Sequence, residues 1–266
     1  WAVHQVHPDA SGMIDLLPDL VRNYEAWEKR QFVPEVGLFW QNGHDDGMEF
    51  NINSRQTTDI LRGAPGYRPG FNAAMWADAR AIARTARLKG AEPLAAAYDR
   101  KAAGLKDRLQ TLLWDPAREF YFPMSMREEK DKEGNVVGKH TLTYQSGRFA
   151  GSPHGREEHG YVPWQFRLPD PGRETAWKFL MDPEFFGDVY ETMSRLYPAP
   201  PITRDDYVKL LGIFSRSHRK DGKPYLAEAL HPDTGSFEGH DAANHSEHYF
   251  HSSFNDLVIT GLVGLQ

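Results

Sequence analysis

Two apolar stripes at helical spacing, separated by a short break, constrain this chain more than any other feature. Met75, Ala79, Ile82 and Ala86 recur between about Asn72 and Lys89, and Leu94, Tyr98, Ala102, Leu105, Leu109 and Leu112 do so after Pro93. A helix with one apolar face must bury it against another element. Gly90 is placed to end the first helix and Pro93 to begin the second. The spacing predicts an antiparallel pair joined by a tight turn, stopped at Asp115-Pro116.

The same pattern recurs elsewhere. Met13, Leu17, Leu20, Tyr24 and Trp27 predict an earlier helix, opened by Asp9 or Ser11. An amphipathic helix is expected near Arg173–Leu180. Another follows Thr203 and Asp206, which resemble a capping box with Asp at its acidic place, ahead of Tyr207, Leu210, Leu211 and Phe214. A last one from about Ser253 carries Leu257, Val258, Leu262 and Leu265. Gly37 to Gly70 reads as a loop, and the charged run Arg127 to Glu133 as a surface hairpin or excursion between Phe120-Tyr121-Phe122 and Val136-Val137. No Gly- or Pro-rich stretch is long enough for a linker. Residues 1–266 are therefore expected to form one all-α domain, an (α/α)6 toroid or part of one, with a small β excursion.

Composition narrows the function. A net charge of -6 excludes a concentrated basic surface for nucleic acid, and Arg80, Arg84 and Arg87 read as the solvated face of one helix. The absence of cysteine excludes disulfides and thiolate metal sites. No run approaches the ~20 apolar residues of a membrane span. The chain opens at Trp1-Ala2-Val3 without a methionine, so a processed or truncated start is expected, and a periplasmic or secreted location is slightly favoured over a cytoplasmic one.

Two segments carry candidate chemistry. Gly37 to Glu49 (GLFWQNGHDDGME) places Asp45, Asp46 and Glu49 within five residues, behind Phe39, Trp40 and Gln41 and ahead of Arg55. An acidic, Gly-rich stretch can be no more than a solvated turn, but large aromatics beside acids are unfavourable unless they stack on something. Tyr225 to Gly235 (YLAEALHPDTG) places Glu228 in a second such segment. Paired carboxylates on separate loops suit glycosidic cleavage, one protonating the leaving oxygen while the other activates water or attacks carbon. Trp40, Gln41, Arg55, Tyr67, Arg68 and Trp164 are the nearest aromatic and polar residues to such a pair, although Arg55 and Arg68 also suit a structural role tying loops to Asp45, Asp46 or Asp59. Glu158 and His159 precede Trp164 and suit either a sugar site or a charged loop. His240, His245, His248 and His251 match no zinc signature, so no metal and no cofactor is expected, and His248 is read as a hydroxyl-binding imidazole.

Gly47-Met48-Glu49 followed by Asn53-Ser54-Arg55, Phe71-Asn72-Ala73 at a helix start, Leu113-Trp114-Asp115 with Phe120-Tyr121, and Tyr225 to Gly235 together resemble glycoside hydrolase family 63 and its mannosylglycerate-hydrolase-like relatives. His159 to Trp164 (HGYVPW) and Asn255 to Leu265 (NDLVITGLVGL) are similar to the helical-barrel domains of family 142-type enzymes. The resemblance implies an inverting, exo-acting glycosidase with Glu49 as general acid and Glu228 as general base. Position 49 is Glu where the family has Asp, so Asp46 and Asp45 stay open as the acid. A Trp-x-Gly-Pro-x-Trp-Pro segment of the family is absent after Asp182-Pro183-Glu184-Phe185-Phe186, and the barrel's first helices are expected to be lacking. An oligosaccharide or glycoside is the implied partner. Two other readings stay open: a sugar epimerase or isomerase, suggested by the 12 histidines, and a carbohydrate-binding fragment without catalysis.

Overall fold

The computed structural model describes residues 9–42, 65–130, 135–138, 140–146, 150–151, 155–181, 204–217, 219–220 and 222–225. The chain divides into two compact units, Trp1–Leu180 with Glu184–Phe186, and Met181–Pro183 with Gly187–Gln266. The described residues are mainly helical, with strands of two to four residues.

In the first unit, α1 spans Ser11–Gln31. Its N-cap position falls on Ala10 rather than on the expected Asp9 or Ser11, and the Ser11 N–H donates to Asp9 Oδ1 at 2.9 Å. The helix continues through Pro18, which removes one backbone donor. Two short strands follow, β1 (Phe32–Val33) and β2 (Leu38–Gln41), and β3 (Gly66–Tyr67) precedes α2 (Pro69–Leu88). The stretch read as a loop from Gly37 to Gly70 therefore begins and ends in paired strands. β1, β2, β3 and β6 (Met124–Ser125) form one antiparallel sheet in that order.

The helix pair expected from the stripes is α2 and α3 (Glu92–Arg108). Gly90 closes α2 at φ 77° in left-handed space, with its N–H donating to Arg87 O at 2.9 Å and the Ala91 N–H to Ala86 O at 2.8 Å. These are the two bonds of a Schellman motif, for which glycine is the favoured residue. Beyond Arg108 the chain widens into a π turn, Leu109–Leu113. The extra residue exposes the Gln110 carbonyl to Arg173 Nη2 (3.4 Å), while the Gln110 side chain accepts from Arg173 Nε at 3.1 Å and donates to Asp170 at 2.8 Å. The Arg173 guanidinium lies 4.6 Å from the Trp114 ring centre.

Next come the hairpin β4 (Trp114–Asp115) with β5 (Phe120–Tyr121), and a second hairpin, β7 (Glu129–Lys130) with β8 (Val136–Gly138). The charged run thus enters a hairpin at Glu129–Lys130, and its residues 131–133 lie outside the described residues. Phe120, Tyr121 and Phe122, by contrast, are fully buried and belong to the core. The Glu158–Gly160 turn, α4 (Val162–Gln165) and a 3-10 helix, Glu174–Met181, complete the unit; this last replaces the expected α-helix.

α2 packs along α3 and, over a shorter length, α1. Phe39 sits at the centre, its ring 5.1–6.0 Å from those of Phe32, Tyr24 and Phe71. Tyr24 in turn meets Tyr98 edge-on at 5.2 Å. Burial, with a smaller contribution from Glu25 and Glu28, pushes the Tyr98 phenol up to about 12.

The second unit is described over α5 (Arg204–Ser217) and the hairpin β9 (Arg219–Lys220) with β10 (Lys223–Pro224). Leu211 of the expected stripe is buried. Thr203, and the helix expected from Ser253, lie outside the described residues.

Candidate functional site

Of the residues singled out from sequence, Asp45, Asp46, Glu49, Arg55, Glu228 and His248 lie outside the described residues. Tyr225 follows β10 in the second unit and is half-buried. The other seven belong to the first unit.

Four of them flank the segment 43–64. Trp40 is the register partner of Tyr67, and Gln41 of Gly66, so β2 and β3 bring the two ends of that segment side by side. Asn72 fixes the pair to α2. Its Oδ1 accepts the Phe39 N–H at 2.8 Å, and its Nδ2 donates to Phe39 O and to Arg68 O, each at 2.9 Å. Along β2, Leu38, Phe39 and Gln41 are buried and Trp40 is half-buried. Phe39, expected beside the acids as a stacking aromatic, spends its ring on the core instead.

Gln41 and Arg68 are both fully buried. Neither the amide nitrogen nor the amide oxygen of Gln41 has a hydrogen-bond partner among the described residues. Such groups are rare in folded proteins, because an unsatisfied buried polar atom costs about 1–3 kcal/mol. Arg68 occupies the N-cap position of α2 in an extended conformation, φ −105° and ψ 139°. Tyr67 beside it is buried, and that burial, together with Glu35, raises its phenol above the ordinary value.

The Glu158–Gly160 turn and α4 pack against the first turn of α2. His159 Cβ and Val162 Cβ lie 3.4 and 3.5 Å from where a side chain on Gly70 would begin. The turn in turn rests on β5, because a Cβ on Gly160 would lie 2.5 Å from Tyr121 O and 2.3 Å from Phe120 Cε1. The paired strands β2 and β3 and the distant segment 158–164 therefore meet at the N-terminal end of α2. His159 is buried, with its Nε2 3.2 Å from Glu157 Oε2 and its Nδ1 without a partner among the described residues. Glu158 is exposed. The carboxylate that engages His159 is thus its predecessor, a distinction two adjacent glutamates give no sequence signal for.

Trp164, half-buried on α4, packs edge-on against Tyr121 at 5.3 Å and against Trp177 at 5.5 Å. Tyr161, one helical turn earlier, stacks on Trp177 at 5.0 Å with 25° between the planes. Trp177 was not singled out from sequence. Beneath, Arg118 binds Asp115 at 2.6 Å and lies 3.7 Å over Phe122, and Arg156 lies 3.6 Å over Phe179. Among the described residues no group of three His, Asp or Glu side chains is placed to hold a metal ion.

The family of mannosylglycerate hydrolase MGH1-like glycoside hydrolase domains matches residues 1–199 and, in a second overlapping stretch, 188–252. No curated protein matches the chain. A solved structure named as a sialidase is similar at 26% identity with a TM-score of 0.69, over 97% of this chain and 25% of that one. The chain thus spans about a quarter of the length of the solved protein it matches. The match from one end of the chain almost to the other means that it belongs to the mannosylglycerate hydrolase MGH1-like glycoside hydrolase domain family.

Proposed function

We propose that the chain, as a single helical-barrel domain, hydrolyses the terminal bond of an oligosaccharide or simple glycoside with inversion at the anomeric carbon. Glu49 is the general acid, with Asp46 and Asp45 as alternatives, and Glu228 is the general base. The observation that carries this reading is the clamp formed by Trp40–Tyr67 and Gln41–Gly66. It fixes both ends of the segment that holds the three acids. It also sets a buried amide lacking partners among the described residues just ahead of them. Gln41, Tyr67, Arg68 and Trp40 are then the groups that receive sugar hydroxyls and a sugar ring, with Arg55, Glu158, His159, Trp164, Tyr225 and His248 completing the site.

In the reaction the acid gives its proton to the glycosidic oxygen as the bond to the anomeric carbon breaks. A water attacks that carbon from the opposite face and loses a proton to Glu228. Room for the water requires the two carboxyl groups to stand roughly 6.5–9.5 Å apart. The acid must remain protonated near neutral pH, which the neighbouring negative charges favour and Arg55 opposes.

Glu49→Gln, Asp46→Asn, Asp45→Asn and Glu228→Gln, assayed on a panel of aryl glycosides with the first-formed anomer followed by NMR, test the assignment. Loss of turnover in Glu49→Gln and Glu228→Gln with an inverted product is expected. Retention of configuration, or full activity of Glu228→Gln, overturns the mechanism. If Asp46→Asn is dead and Glu49→Gln active, the acid is Asp46. The buried His159–Glu157 pair also favours a second reading, proton transfer beside a sugar carbonyl. Deuterium incorporation from solvent into recovered sugar, abolished in His159→Gln, would select it.

A further inference from the structure

We propose that Tyr161, Trp164 and Trp177 form a stacking subsite for a second pyranose ring of the substrate. This rests on the glycosidase reading above and deepens it.

Trp177 lies on the 3-10 helix Glu174–Met181. At three residues per turn, residues i and i+3 eclipse one another. Ala176 and Phe179 accordingly point into the core, and Trp177 is left outside at 41% exposure. The ring is held where it is. Tyr161 backs its face, and the Tyr161 hydroxyl donates to Ala176 O at 3.1 Å, fixing the tyrosine to the residue before Trp177. Trp164 closes one edge. A large aromatic kept rigid and open to solvent is unfavourable for the free protein and suited to a flat ligand that arrives later.

The surroundings identify the ligand. The exposed large hydrophobics among the described residues are Leu16, Leu88, Val136, Trp177 and Val208, each on a different element. Trp177 is therefore isolated, far short of the roughly 1,000 Å² a stable protein interface needs. Its neighbours Glu174 and Lys178 are exposed and charged. One indole face rimmed by hydrogen-bonding groups fits the C–H face and equatorial hydroxyls of one sugar ring. The shelf is also continuous with the candidate site. α4, which carries Trp164, directly follows the turn that seats His159 on α2. Beneath Trp164, the fully buried Tyr121 hydroxyl has no partner among the described residues.

The test uses the full chain with Trp177→Ala and Trp177→Tyr. Each is assayed on the aryl monoglycoside that the wild type cleaves best and on the di- and trisaccharide of the same sugar. Trp177→Ala is expected to raise KM for the oligosaccharides by about three- to tenfold, on the scale of one aromatic stacking contact. The aryl monoglycoside should be unaffected and Trp177→Tyr should restore most of the loss. Equal KM on all substrates overturns the subsite while the glycosidase reading stands. An equal loss on all substrates with a lowered melting temperature also overturns it, since that marks a structural role. If the wild type turns over no glycoside, the glycosidase reading fails, and binding to an array of oligosaccharides decides the subsite alone. Binding lost in Trp177→Ala supports it; binding unchanged, or absent in the wild type, overturns it.

Discussion

Asn72 treats Phe39 as a neighbouring strand would, accepting its N–H and donating to its carbonyl from a single side-chain amide. Its third bond, to Arg68 O, ties the same amide to the start of its own helix. Asn72→Leu would leave the Phe39 N–H and carbonyl unsatisfied, while Arg68 O keeps the backbone N–H of residue 72. At about 1–3 kcal/mol each, partly relieved by relaxation, the expected loss is on the order of 3–5 kcal/mol. Asn72→Asp, which retains the acceptor but cannot donate, should fall between the two. Urea unfolding measures both, and equal stability of Asn72→Leu and wild type would remove the clamp from the argument.

Gln41 makes the opposite prediction. With no partner for its amide among the described residues, Gln41→Leu should leave the melting temperature unchanged or raise it, because the desolvation penalty disappears. If the amide serves substrate, kcat/KM should drop at least tenfold, the scale of one lost hydrogen bond of ~1.4 kcal/mol. A large drop in melting temperature would show instead that Gln41 supports the fold.

Two glycines should respond to alanine with opposite signs. Gly160 has Tyr121 O and Phe120 where a Cβ would go, so Gly160→Ala must displace β5 or the His159 turn and should be strongly destabilising. Gly104 lies inside α3 with open space around it, and Gly104→Ala should add roughly 0.5–1 kcal/mol. Differential scanning fluorimetry separates the two.

Asp115 links stability to pH. Burial raises its carboxyl pKa, but bonds from the Arg118 side chain and from the Arg118 and Ala117 N–H groups outweigh that, leaving it below the ordinary value. A carboxylate depressed in the folded state stabilises above its unfolded pKa, near 3.9, and the contribution fades as pH falls through the folded value. Asp115→Asn should therefore cost stability at pH 7, and the gap to wild type should close below about pH 4. A gap independent of pH would exclude the charge as its cause.

The long helices were legible because their apolar stripes repeat over several turns, and Gly90 marks its own left-handed position. What escaped the sequence was decided by contacts between distant residues. Two-residue strands such as Gly66–Tyr67 have no periodicity to read and exist through pairing with β2 and β6. Phe39 looked like a sugar platform because it neighbours acids, yet Tyr24, Phe32 and Phe71 claim its ring. Trp177 went unnoticed because the helix expected near Arg173–Leu180 is a 3-10 helix, whose three-residue repeat leaves that ring outside. Around the proposed site, sequence named Gln41, Tyr67, Arg68 and His159 but gave no sign that Gly70 lets the His159 turn reach α2.

The pairing of Gln41 with Gly66 also bears on how such a chain can change over generations. With its ends already held together, the connection between them contributes little to stability through its length, since each doubling costs only about 0.6 kcal/mol in closure entropy. The fold can tolerate insertions and deletions there so long as the clamp and Asn72 persist, and the proposed activity can too where the acid is kept. Specificity can then drift at one interchangeable segment while the helices beneath stay as they are.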